Sequence, residues 1–151
     1  MDAMARDQAA RCAWMGLLAR APAADLARLW DGLGLAPAFA WLRPPEVGTV
    51  MVRGRTGATG APFNLGEMTV TRASLRLDCG AVGHAWVQGR DRTQAERAAL
   101  ADALMQTAAA GDVRARLLDP LAEAEATRRA LRARKAAATQ VEFFTMARGE
   151  G

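Results

Sequence analysis

The chain has 151 residues, 51% hydrophobic and 24% charged, which excludes a disordered protein and predicts one domain over 1–151 with a single buried core. Its net charge is +4 and Lys135 is the only lysine, so the positive charge is carried almost wholly by arginine, which grips phosphate and carboxylate bidentately at any useful pH. Tyrosine is absent and aromatic residues are 5%, which argues against a stacking platform for nucleic acid, and no apolar run is long enough for a membrane span.

The first predicted element is a helix over Met4–Ala21. Charges at Asp2, Arg6, Asp7 and Arg11 interrupt its apolar part, so it reads as an amphipathic helix rather than a signal peptide, and the cytoplasm is the expected compartment. Pro22 interrupts, and a second helix follows over Ala23–Leu33, with Leu26, Leu29, Trp30 and Leu33 on one face and Gly34 as C-cap. The two are expected to form a helical hairpin.

The periodicity then changes to two. Phe39 and Trp41 alternate until Pro44-Pro45, which reads as a strand stop. Val47–Arg55 alternates again and runs into the glycine-rich Thr56–Pro62. Glu67–Cys79 is the longest strand candidate; its apolar phase slips between Val70 and Leu75, as a bulge near Arg72 and Ala73 would produce. Gly80 marks a turn, and Val82–Gly89 returns as a strand. Short links favour an antiparallel meander. The C-terminal third is helical again. Asp91 or Thr93 can cap a helix that Gly111-Asp112 ends, and Asp119-Pro120 opens a last helix with aspartate at N-cap and proline at N1. The fold class is therefore α+β: about four mainly antiparallel strands, flanked by an N-terminal helical hairpin and C-terminal helices.

Several groups of residues bear on chemistry. In Arg53-Gly54-Arg55-Thr56-Gly57-Ala58-Thr59-Gly60, glycines free backbone N–H groups to converge on an anion and Arg53 and Arg55 add charge; the other reading is a plain inter-strand loop. In Trp86-Val87-Gln88-Gly89-Arg90-Asp91, a strand meets a helix N-terminus, where Gln88 and Arg90 could face an oxyanion; the alternative is a capped helix start. His84 is either a general base or a hydrogen-bonded structural residue, and Arg72 is either aimed at a site by the bulge or lies on a wet sheet face. Arg53, Arg55, Arg72, His84, Gln88 and Arg90 are thus the candidates for binding phosphate or a similar oxyanion. The run Arg128, Arg129, Arg132, Arg134, Lys135 reads as a solvated helix face. Cys12 and Cys79 read as small buried hydrophobes, and with one histidine they predict no metal site. No nucleophile–base couple is visible, so the catalytic residues stay unassigned. The terminal Val141, Phe143, Phe144 and Met146 are unusually apolar for a chain end; with Arg148 they read as an interface to a partner or to another copy, or as a segment folded on its own sheet.

Three stretches together resemble the PhnG family, the G subunit of the bacterial carbon–phosphorus lyase system. They are GTVMVRGRTGATGAPFNLGEMTVTRASLRL from Gly48 to Leu77, HAWVQGRDRTQAERAALADALMQ from His84 to Gln106, and VEFFTMARGE from Val141 to Glu150; LLDPL at Leu117–Leu121 also fits. The resemblance implies a role in alkylphosphonate catabolism beside partner subunits PhnH, PhnI, PhnJ and PhnL. It implies that ATP and an alkylphosphonate give α-D-ribose 1-alkylphosphonate 5-triphosphate with release of adenine, the nucleosidase-like activity being associated with PhnI. The iron–sulfur cluster and S-adenosylmethionine that serve carbon–phosphorus cleavage belong to PhnJ. This chain is then expected to bind no cofactor and to be inactive alone, either as an assembly subunit or as a donor of arginines to a shared site; the reading outside this family is a stand-alone nucleotide-binding module.

Overall fold

A computed structural model describes residues 3–139, so the apolar tail from Val141 to Arg148 lies outside the described residues. Helix α1 spans Ala3–Arg20 and α2 spans Ala23–Leu33. Gly34 ends α2 in the left-handed conformation, φ 67°, with its N–H bonded to Asp31 O, as a C-cap glycine does. Strands β1 (Phe39–Arg55), β2 (Pro62–Leu77) and β3 (Val82–Gln88) make an antiparallel sheet in the order β1-β2-β3. Helix α3 (Arg92–Leu104) crosses β2 and β3, and short α4 (Ala110–Val113) runs through a π-helical turn at Arg114–Leu118 into α5 (Asp119–Ala138). The class is α+β, and no helix is long and apolar enough to cross a membrane among the described residues.

Among the described residues the sheet has three strands, not about four. Pro44-Pro45 does not end a strand: β1 runs through it, with register irregularities between Trp41 and Arg43 and between Arg43 and Glu46. β1 is a sheet edge, and a bulged edge tolerates residues that cannot donate to the ladder. The bulge predicted near Arg72 is on this facing strand instead. β2 is regular there, pairing Val70 to Arg76 with Gln88 to Val82 without a break. The phase slip arises because Thr71, Ala73, Leu75 and Leu77 form the buried row, while Met68 and Val70 belong to the opposite face. β2 also starts earlier than periodicity suggests, because Pro62 pairs with Arg55 as the first residue of the strand.

The core lies between the buried row of the sheet and α3. Ala95, Ala98, Ala99, Ala101 and Ala103 are almost fully buried, so α3 is covered on several sides: by the sheet, by α1 and by α2. Leu117, Leu118 and Leu121, from the π turn and the start of α5, join this cluster with Leu18, Leu26 and Trp30. Gly111-Asp112 lies inside α4 rather than breaking a helix; the break comes earlier, over Met105–Ala109, where N–H groups of Met105, Gln106 and Thr107 turn back onto the end of α3. Nor does Asp119 cap a new helix. Leu118 before it is already helical, at φ −72° and ψ −44°, and the π turn leads directly into Pro120 in the first turn of α5. A widened turn is a common way for a helix to continue past such an irregularity. Both cysteines are exposed, not buried, Cys12 on an open side of α1 and Cys79 in the β2–β3 turn.

Candidate functional site

The sequence candidates fall in three separate places. Arg53 and Arg55 lie at the far end of the β1–β2 hairpin, opposite Asn64 and Pro62. Asn64 and Arg72 are eight positions apart along β2, roughly 25 Å of strand. Arg55 donates to Gly60 O at 3.1 Å, so its guanidinium is engaged in holding the glycine-rich turn. Arg90 follows Gly89, which has φ 93°, and stands beside the start of α3. That helix start is capped by Asp91, whose Oδ1 accepts from Gln94 N–H at 2.9 Å, so a carboxylate already occupies the anion position.

Arg72, His84 and Gln88 share the outer face of the sheet, since Val70 pairs with Gln88, Arg72 with Trp86 and Ser74 with His84 across β2 and β3. Arg72 donates from Nε to Glu46 Oε1 at 2.5 Å, and its guanidinium carbon sits 5.6 Å from the Trp86 ring centroid. Arg43 donates to the same Glu46 oxygen at 2.6 Å. These hydrogen bonds, Arg43's first and then Arg72's, hold the Glu46 carboxyl below the usual carboxylate range. Their contribution is present at neutral pH and lost as pH falls through that lowered value. Ser74 Oγ and His84 Nδ1 are 2.8 Å apart, and the His84 N–H donates to Asp102. Arg72 and His84 thus already have protein partners.

Gln88 faces a different group, one that the sequence did not suggest. It lines a crevice of about 250 Å³ with Arg20 from the end of α1 and Glu125, Arg128, Arg129 and Arg132 from α5. Arg20 and Arg129 both donate to Glu125, at 3.0 and 2.9 Å, and Arg128 reaches Asp25 at 3.6 Å. The hydrogen bond from Arg20 is the main reason that the Glu125 carboxyl is held below its usual range despite some desolvation. The signal available in sequence was the like-charge pair Arg128 and Arg132 at i, i+4 spacing.

The hairpin itself is the other conspicuous surface. β3 stops at Gln88, opposite Val70, so the outer half of β2 has β1 on one side and no described strand on the other. Val47, Thr49 and Met51 sit opposite Thr71, Thr69 and Glu67 and continue the sheet face that buries Ala73 and Leu75. Among the described residues no helix covers this part: Met51 is 54% exposed and Leu65 66%, with Val47 and Phe63 also exposed.

On this α+β fold the described residues thus carry an uncovered apolar sheet arm and an arginine-lined crevice. Sequence comparison identifies the family. The model of the family described as phosphonate metabolism protein PhnG matches residues 9–149, and the chain belongs to this family. It is similar to a protein of Rhizobium meliloti (strain 1021) named alpha-D-ribose 1-methylphosphonate 5-triphosphate synthase subunit PhnG, being 48% identical over 137 residues, 90% of this chain and 87% of the relative.

Proposed function

We propose that this chain is a subunit of an alpha-D-ribose 1-methylphosphonate 5-triphosphate synthase within the carbon–phosphorus lyase system. It acts in alkylphosphonate catabolism with PhnH, PhnI, PhnJ and PhnL, and ATP and alkylphosphonate are the substrates of the assembly. The observation that carries this reading is the match to the Rhizobium meliloti subunit along most of both chains. The open hairpin supports it: large apolar side chains on a free sheet edge are what a partner chain covers. In this reading the chain contributes assembly surfaces, from the hairpin and from the tail with Val141, Phe143, Phe144, Met146 and Arg148, while partner subunits hold the iron–sulfur cluster and S-adenosylmethionine.

Co-expression with the four partners tests it. Met51→Ser combined with Leu65→Ser removes exposed apolar surface without touching the core, so the free variant keeps its circular dichroism spectrum while co-purification is lost. Phe143→Ala with Phe144→Ala is expected to do the same. An intact complex with both double variants would overturn the assembly role. Loss of a self-dimer with partner binding retained would assign the arm to a second copy.

A further inference from the structure

The arginine crevice is not explained by the protein's own charges. Four guanidiniums from α1 and α5 line it, against the single carboxylate of Glu125, which is shared by Arg20 and Arg129. Arg128 has only a long ion pair, with Asp25 at 3.6 Å, and Arg132 forms no ion pair with any described residue. Arg128 and Arg132 stand one turn apart on the same helix, where like charges repel. Solvent softens the repulsion among these part-exposed guanidiniums, Arg20 being 44% and Arg129 67% exposed, and an anion entering the opening would offset what is left. Arginine cannot relieve the repulsion by losing its proton. The neutral Gln88 adds an amide that can donate to an oxygen, at the end of β3.

We propose that this crevice binds a polyphosphate chain, in the synthase reading the 5-triphosphate end of the nucleotide substrate or of its product. Arg132 and Arg128 supply forked donors to the phosphoryl oxygens, Gln88 orients one of them, and Arg20 and Arg129, held by Glu125, form the positive wall. The inference rests on that reading for the identity of the ligand, but the crevice itself belongs to this chain alone.

Titration calorimetry of the full chain with inorganic triphosphate tests it, with inorganic phosphate as the short comparison ligand. Triphosphate is expected to bind, and to bind more tightly than phosphate, because a longer anion engages more guanidiniums. Arg132→Gln and Arg128→Gln are each expected to weaken triphosphate at least about tenfold, the loss of one charged hydrogen-bonding partner. Arg76→Gln removes a charge at the other end of the β2–β3 ladder from Gln88 and is expected to leave the affinity within about twofold, within general charge screening. All variants sit on the surface, and a melting curve checks that they fold. No triphosphate binding by the full chain, or equal losses in the crevice variants and Arg76→Gln, would overturn the proposal. If triphosphate fails to bind while Arg128→Glu with Arg132→Glu abolishes co-purification, the crevice receives an acidic protein segment instead. The synthase reading survives each of these results, because it is tested by assembly and not by anion binding.

Discussion

Asp102→Asn is expected to lower stability by about 3–5 kcal/mol, the usual effect of removing one partner from a buried ion pair. Asp102 is fully buried in α3 and its carboxylate accepts four hydrogen bonds. Two come from Arg11, at 3.1 Å from Nε and 2.7 Å from the guanidinium end, one from the Trp14 indole at 2.9 Å, and one from the backbone N–H of His84 at 2.9 Å. All four partners are donors. An asparagine amide would point its own N–H₂ at two of them, and its single oxygen could not serve the rest. The clamp joins α1, α3 and β3, which meet at few other polar points, so its loss should loosen α1 as a unit. Urea melts read the effect, and at this chain length it is expected to lower Tm by roughly 10–15 °C. Arg11→Met in the same background should recover part of the loss, because it removes an uncompensated cation. A change under about 1 kcal/mol for Asp102→Asn would show that the clamp is not the joint described.

Gly83→Ala is expected to lower stability by about 3 kcal/mol, at the upper end for overpacking. A Cβ at Gly83 would stand 1.9 Å from the Ala99 carbonyl oxygen and 2.8 Å from the Ala103 nitrogen. These are backbone atoms of α3, so no side-chain rotation relieves the clash; the helix must move off β3. The alanines of α3 permit this closeness, because small side chains let helix and strand backbones approach. The substitution is therefore expected to act on the same α3–β3 joint that Asp102 secures, and the two effects should not add. Chemical denaturation measures both, and a Gly83→Ala protein as stable as the parent would show that α3 sits further from the sheet.

Much of the fold was written in local periodicity. The helix over Ala23–Leu33 with its Gly34 cap, the Asp91 cap of α3, the Gly80 turn and the antiparallel order of the strands all follow from residue type and short spacing. Family membership was also legible, because it depends on motif order along the chain and not on spatial arrangement. What local pattern misjudged were features that a neighbouring element decides. Pro44-Pro45 looked like a stop, but a bulged edge strand carries it. For Arg72 the residues left two readings open, aimed by a bulge in its own strand or lying on a wet sheet face; the irregularity is in β1, and the part-exposed guanidinium lies on the outer face between Glu46 and Trp86.

The candidate site divides in the same way. The chain alone determined that its positive charge would be almost wholly arginine and that Gln88 would lie at the end of a strand, because composition and periodicity are properties of the sequence. Only the tertiary structure decided which arginines meet Gln88. Arg20 and Arg132 are far apart in sequence, and they line one crevice because α1 and α5 converge beside the end of β3. Asp102 shows the same limit: local pattern did not single it out, and only the packed structure shows it buried with Arg11, Trp14 and His84 as its partners. Hydrogen-bond satisfaction of a buried charge is a property of three packed elements, so it becomes visible only when they are assembled.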